Sequence, residues 1–174
     1  MKPLTTAMLC LTLSSVGWAE DIPSTLETTI EIRHLDVSEY HRPYVAVWIQ
    51  DEDRNAVASL AVWYQITGSR KDAGTKWLPD LRQWWRRTGR SLEMPVDGVS
   101  GATRPAGTHK LSFAITDSRL VDLPAGKYSL VVEAAREVGG RELVEIPFTW
   151  PLGQSKSLKA KGKNELGEVT LNAK

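Results

Sequence analysis

Cysteine is nearly missing from this 174-residue chain: the single one, Cys10, sits in an apolar stretch at the N-terminus. Beyond it there is no thiol to form a disulfide, act as a nucleophile or supply a thiolate to a metal. Histidine is scarce too. His34, His41 and His109 are scattered without an i,i+4 pair, which gives little for a metal or haem site. Neither sign of charge dominates, with 22 Lys+Arg against 21 Asp+Glu, so no basic face for nucleic acid is implied. No apolar run is long enough to span a bilayer. The chain lacks a Walker or Rossmann glycine loop, and no Ser/His/acid set or carboxylate pair marks a catalytic centre. No catalytic residue is assigned from the sequence.

What is present begins with an export signal. Met1-Lys2 is a short positive start, Leu4 to Val16 is uncharged, and Gly17 and Ala19 are small residues placed for cleavage after Ala19. Leu9 before Cys10 is not the small residue of a lipoprotein box. The expectation is a signal peptide over 1–19 and a single exported domain over 20–174, located in the periplasm. Removing Lys2 with the leader leaves that domain electrically neutral.

The exported part reads as β. Leu26, Thr28, Ile30 and Ile32 alternate with polar residues, as do Leu111, Phe113 and Ile115, then Tyr128, Leu130 and Val132, then Val144, Ile146, Phe148 and Trp150. Tyr44–Ile49 and Val57–Tyr64 are continuous apolar runs joined by the polar stretch 50–55. Asp51, Asp53 and Asn55 imitate a calcium loop, but Ala56 and Val62 stand where such a loop needs Gly and Glu, so a plain hairpin tip is expected. About seven strands with these turns predict an immunoglobulin-like antiparallel β-sandwich. Pro147 belongs on an edge strand, because it cannot donate to a ladder. Ser155–Asn164, rich in Lys, Ser and Gly, is expected to be a loop or loose arm.

One short helix is predicted near 79–88. Pro79 suits its first position, Gly89 its end, and Trp77, Leu81, Trp84 and Trp85 fall on one face. Trp48, Trp63 and Trp150 lie in strands and are expected in the core. Trp84 and Trp85 are neighbours about a hundred degrees apart on a helix. An exposed indole of the pair would stack on a planar ligand or dock a partner; alternatively the helix simply caps the core.

The most specific stretch is Asp97-Gly98-Val99-Ser100-Gly101-Ala102-Thr103. It fits Asp-x-x-(Ser/Thr)-Gly-Ala-Thr and resembles the peptide on which ApbE-type flavin transferases hang FMN, by a phosphoester to the last threonine. At average residue usage the five fixed positions coincide by chance in about one chain in several thousand. The chemistry suits the peptide. Gly101 and Ala102 add little bulk beside the Thr103 hydroxyl, and Gly101 tolerates unusual dihedrals. Asp97 and Ser100 can bond nearby backbone amides and define a turn, and Pro105 and Gly107 argue for a loop. Arg104 adjoins Thr103, where a guanidinium fork suits phosphate oxygens. His109 shares a strand face with Leu111 and Phe113, and lies either near the flavin or simply at a sheet rim.

The layout from about residue 25 to 172 also resembles a family of exported, sandwich-like proteins of unknown function, many with the flavin motif. The resemblance rests on 44–48, 76–81, 97–105, 132–137 and 146–151. It implies a periplasmic flavoprotein carrying covalent FMN on Thr103 and relaying electrons beside a membrane reductase of the PepSY type. The alternatives are a flavin-dependent periplasmic reductase and a sandwich binding module without redox activity.

Overall fold

Period-two alternation and apolar runs become nine strands among the described residues, numbered here in chain order, in two packed sheets. The computed structural model describes residues 23–66, 74–153 and 157–174. The expected signal peptide and its cleavage point lie outside them. One sheet has β1 (Thr25–Ile32), β5 (Gly107–Ala114), β8 (Ser157–Lys161) and β9 (Leu166–Ala173), in the order β5-β1-β9-β8. The other has β2 (Tyr44–Gln50), β3 (Ala56–Tyr64), β4 (Ser100–Ala102), β6 (Gly126–Ala135) and β7 (Arg141–Trp150), in the order β4-β3-β2-β6-β7. Every pairing is antiparallel except β3 with β4.

The sandwich is immunoglobulin-like with a substitution. The run β3-β2-β6-β7 has the order C′-C-F-G, and β1 beside β5 matches strands B and E. The place of the N-terminal A strand is taken by the C-terminal β9. Pro147 sits on edge strand β7, opposite Ser129, as its missing N–H requires.

Two strands exceed the expected seven. Part of the motif, read as loop, pairs as β4. Part of the presumed loose arm forms β8, where Leu158 and Ala160 are half-buried and the lysines between them exposed. Alternation there outweighs the polar composition.

β2 is buried on both faces, which accounts for its unbroken apolar sequence. Val45, Val47 and Ile49 enter the core between the sheets together with Trp63 and Trp150. Ala46 and Trp48 face a second cluster on the outer side of the five-stranded sheet. The residues that cover this face run from a 3-10 turn at Thr75–Asp80, through α1 (Arg82–Arg87), to a 3-10 turn at Gly89–Ser91. Leu78, Leu81 and Trp84 are fully buried in the second cluster.

The single helix over 79–88 is therefore corrected. Leu81 has ψ 67°, outside the helical range, and separates the 3-10 turn from α1, while Pro79 lies inside that turn. The tighter 3-10 repeat turns Leu78 inward and leaves Trp77 46 % exposed. Trp85 is half-buried against the cluster. Gly89 permits the fit: a Cβ there would stand 2.5 Å from Cζ3 of Trp84.

A buried charge fastens this cover. Glu133 of β6 is fully buried and accepts hydrogen bonds from the backbone N–H of Gln83 (3.0 Å) and Trp84 (2.9 Å) and from Arg141 Nη1 (2.8 Å). These satisfy orphan donors at the start of α1 and compensate the carboxylate for lost water. Among the described residues no helix is long and apolar enough to cross a membrane.

Candidate functional site

Thr103 stands at the end of the shortest strand, on an open sheet edge. The turn leading to it is held by backbone bonds and by one side chain of its own, that of Ser100. Val99 N–H (3.2 Å) and Ser100 N–H (2.8 Å) both donate to Val96 O. The Ser100 hydroxyl accepts from Val96 N–H at 2.9 Å. The left-handed residue of the turn is Gly98, at φ +69°, and Gly101 has no such conformation. Gly101 matters instead for close approach, since an added Cβ would lie 3.3 Å from Cδ1 of Trp63. Asp97 is exposed and makes no side-chain hydrogen bond among the described residues.

Parallel pairing then carries the chain past β3, with Ser100, Gly101 and Ala102 opposite Val62, Trp63 and Tyr64. Thr103 N–H donates to Tyr64 O at 3.1 Å, which fixes the backbone of the threonine. Thr103 is half-buried, and its hydroxyl has no partner among the described residues.

A clamp unseen in the sequence holds the turn from below. Arg119 Nη1 donates to Gly98 O at 2.6 Å and to Leu60 O at 3.3 Å, and the guanidinium lies 4.7 Å from the Phe113 ring centre. Asp117 pairs with Arg119, and that hydrogen-bonded guanidinium holds the carboxyl at about 2, below the usual carboxylate range.

Arg104 and His109 are brought together around Trp63. The Arg104 guanidinium lies 4.3 Å from the indole centre, and His109 meets the indole edge-on at 5.8 Å. His109 Nε2–H donates to Pro105 O at 2.7 Å, which sets its tautomer. Neither side chain lines the groove described next.

That groove opens from Thr103 along the end of the outer sheet face. Its volume is about 660 Å³, within the range of small-molecule sites. Tyr40, Tyr44, Trp77, Arg42, Arg82, Arg136 and Arg141 line it. Tyr44 donates its hydroxyl to Gly74 O at 3.3 Å and meets Tyr64 edge-on at 6.3 Å. Burial raises the hydroxyl pKa of Tyr44, and that of Tyr40 too.

The arginines differ in commitment. Arg136 forms a buried two-point pair with Glu165 (2.9 and 3.2 Å), and Arg141 is tied to Glu133. Arg42 and Arg82 are exposed and have no ion-pair partner among the described residues. Val138 on the rim is 75 % exposed at φ +53°, a conformation a β-branched side chain rarely tolerates.

The structure brings Arg104 and His109, named separately in the sequence, together around Trp63, and it shows a groove that the sequence did not announce. Of the Trp84/Trp85 pair, Trp84 is fully buried and Trp85 is half-buried, while Trp77 is the most exposed indole among the described residues. The groove is assembled from segments near 40, 77, 103 and 136, and no spacing in the chain announces that convergence. The residues of the calcium-like loop form a hairpin tip. Asp51 accepts there from Asn55 N–H (2.7 Å) and Asn55 Nδ2 (3.0 Å). No group of three or more His, Cys, Asp or Glu among the described residues is placed to hold a metal.

A family described as "Predicted periplasmic protein (DUF2271)" matches residues 25–168, and the chain belongs to this family. The match covers both sheets almost completely and includes the whole motif. No curated protein and no solved structure matches the chain. The family description carries a predicted periplasmic location and no activity.

Proposed function

We propose that the protein is a periplasmic flavoprotein with FMN covalently bound to Thr103, acting in extracytoplasmic electron transfer. The observation that carries the reading is the position of Thr103. Its hydroxyl is uncommitted, its backbone is pinned on an accessible sheet edge, and it borders a groove lined by aromatic rings and guanidinium groups. An ApbE-type transferase requires an acceptor alcohol that can enter its own cleft, and an edge strand flanked by Gly101 and Ala102 meets that need.

The transfer balances as a displacement at phosphorus. Thr103 Oγ bonds to the flavin-side phosphorus of FAD, the bond to the bridging oxygen breaks, AMP leaves, and the hydroxyl proton passes to the transferase's base. Once attached, FMN supplies exchange of one or two electrons. Ser100 and Arg119 keep the turn in shape, and Arg104, fixed over Trp63 next to Thr103, supplies positive charge near the phosphoester. A periplasmic location gives the covalent linkage a purpose, because a dissociable cofactor would be lost outside the cytoplasm. The reading includes cleavage after Ala19 and a membrane reductase of the PepSY type as redox partner.

Co-expression with the transferase tests the assignment. Wild type gains the mass of FMN less one water and turns yellow; Thr103→Ala folds and stays colourless; Thr103→Ser is labelled in part. Unlabelled wild type beside an active transferase, or labelled Thr103→Ala, contradicts it. The groove also favours a second reading, a flavin-dependent reductase. Turnover of a specific substrate by the labelled protein would support that reading, and reaction only with non-specific electron acceptors would support the carrier.

A further inference from the structure

We infer that the groove bordered by Thr103 is the seat of the flavin ring, with Trp77 and Tyr40 as its aromatic contacts and Arg82 as the cation that tunes it; the inference rests on the attachment proposed above. Seven large hydrophobic residues are exposed among the described ones, and three of them, Tyr40, Trp77 and Val138, converge on this one groove. Exposed aromatic rings gathered in a concavity signal a ligand rather than ordinary surface. The required ligand is flat and aromatic, because aromatic faces favour offset stacking or edge contact. It also accepts surroundings of mixed charge, since Asp80 and Glu137 line the groove beside the arginines, of which Arg42 and Arg82 have no ion-pair partner among the described residues. Arg136 and Arg141 are held in buried or half-buried ion pairs, which leaves the two exposed arginines as the available donors.

The isoalloxazine meets each of these demands. It is planar, its pyrimidine edge carries carbonyl acceptors for a guanidinium, and its reduced form gains negative charge at that edge. A flexible ribityl chain joins it to the phosphate, so a group anchored on one lining residue, Thr103, can lay its ring against the others. A cation beside that edge favours the reduced form, so Arg82 should raise the reduction potential. Trp84 is sealed in the second cluster and cannot serve as a stacking residue. Trp85 does not line the groove; it lies in an adjoining hollow that shares Arg82 and Arg141 with it, and so provides a built-in control.

The experiment uses full-length protein exported and labelled in the presence of the transferase, with intact mass recorded first. Flavin fluorescence of the labelled wild type is then compared with that of its exhaustive proteolytic digest. A seated ring is quenched by Trp77 and Tyr40, so digestion should raise emission several-fold. Trp77→Ala should recover at least twofold emission before digestion, Trp85→Phe should match wild type, and Arg82→Gln should lower the midpoint potential. Labelled wild type as bright as its digest, or Trp77→Ala as dim as wild type, overturns the seat and leaves the attachment standing. An Arg82→Gln potential equal to wild type removes Arg82 from the assignment. Absence of the added mass overturns the attachment, and the seat with it.

Discussion

Arg119 joins three parts of the chain through one guanidinium: the carbonyl of Gly98 in the motif turn, the carbonyl of Leu60 in β3, and the carboxylate of Asp117. The Asp117 pKa, held at about 2 against an ordinary 3.8, makes this clamp pH-dependent. A folded-state pKa below the unfolded one stabilises above the unfolded value, and that stability is lost as pH falls. Asp117→Asn should therefore cost on the order of 1 kcal/mol at neutral pH, the scale of a partly solvated pair. Its difference from wild type should shrink as pH drops from about 4 toward 2. Urea unfolding at a series of pH values checks this, and a gap that stays constant down to pH 2 would contradict it. At this scale the proposed attachment residue is legible in the chain, since Thr103 sits in a contiguous motif. Arg119 could not, because it acts on the turn from 21 residues away and carries no local signature.

The cover over the outer sheet face depends on a few buried groups in the cover and in the strand beneath it. Glu133→Ala removes the acceptor for Gln83, Trp84 and Arg141 together, and the cost of breaking such a buried pair is about 3–5 kcal/mol. Trp84→Ala empties the centre of the same cluster at a similar cost, about 3–5 kcal/mol. Both variants should unfold at lower urea concentration, and wild-type midpoints would show that the cover adds little. The strands here were legible because period-two alternation records one buried face. The doubly buried β2 was legible as an unbroken apolar run. The cover was only half legible. Its apolar residues suggested one helix, but the break at Leu81 depends on backbone dihedrals set by packing. Glu133 sits in an apolar strand whose sequence gives no sign that a carboxylate is needed there. In β8 composition pointed to a loop while the alternating Leu158 and Ala160 pointed to a strand, and burial followed the alternation.

The whole molecule is closed by its C-terminus. β9 lies between β1 and β8 and buries Leu166, Val169, Leu171 and Ala173, so β1 has both its ladders only when β9 is present. Deleting 166–174 should abolish the cooperative unfolding transition; a soluble truncation that still unfolds cooperatively would show that β9 is an accessory strand. The same architecture leaves β4 at the edge of the other sheet, with Thr103 just beyond it and on the lining of the groove. Attachment at this one hydroxyl is the central claim. Trypsin should release residues 91–110 as one peptide, because Pro105 protects the bond after Arg104. Its hydroxyl side chains are Ser91, Ser100, Thr103 and Thr108. Tandem mass spectrometry of this peptide, from protein exported beside an active transferase, should place the mass of FMN less one water on Thr103. The same mass on another residue, or an unmodified peptide, would contradict the account.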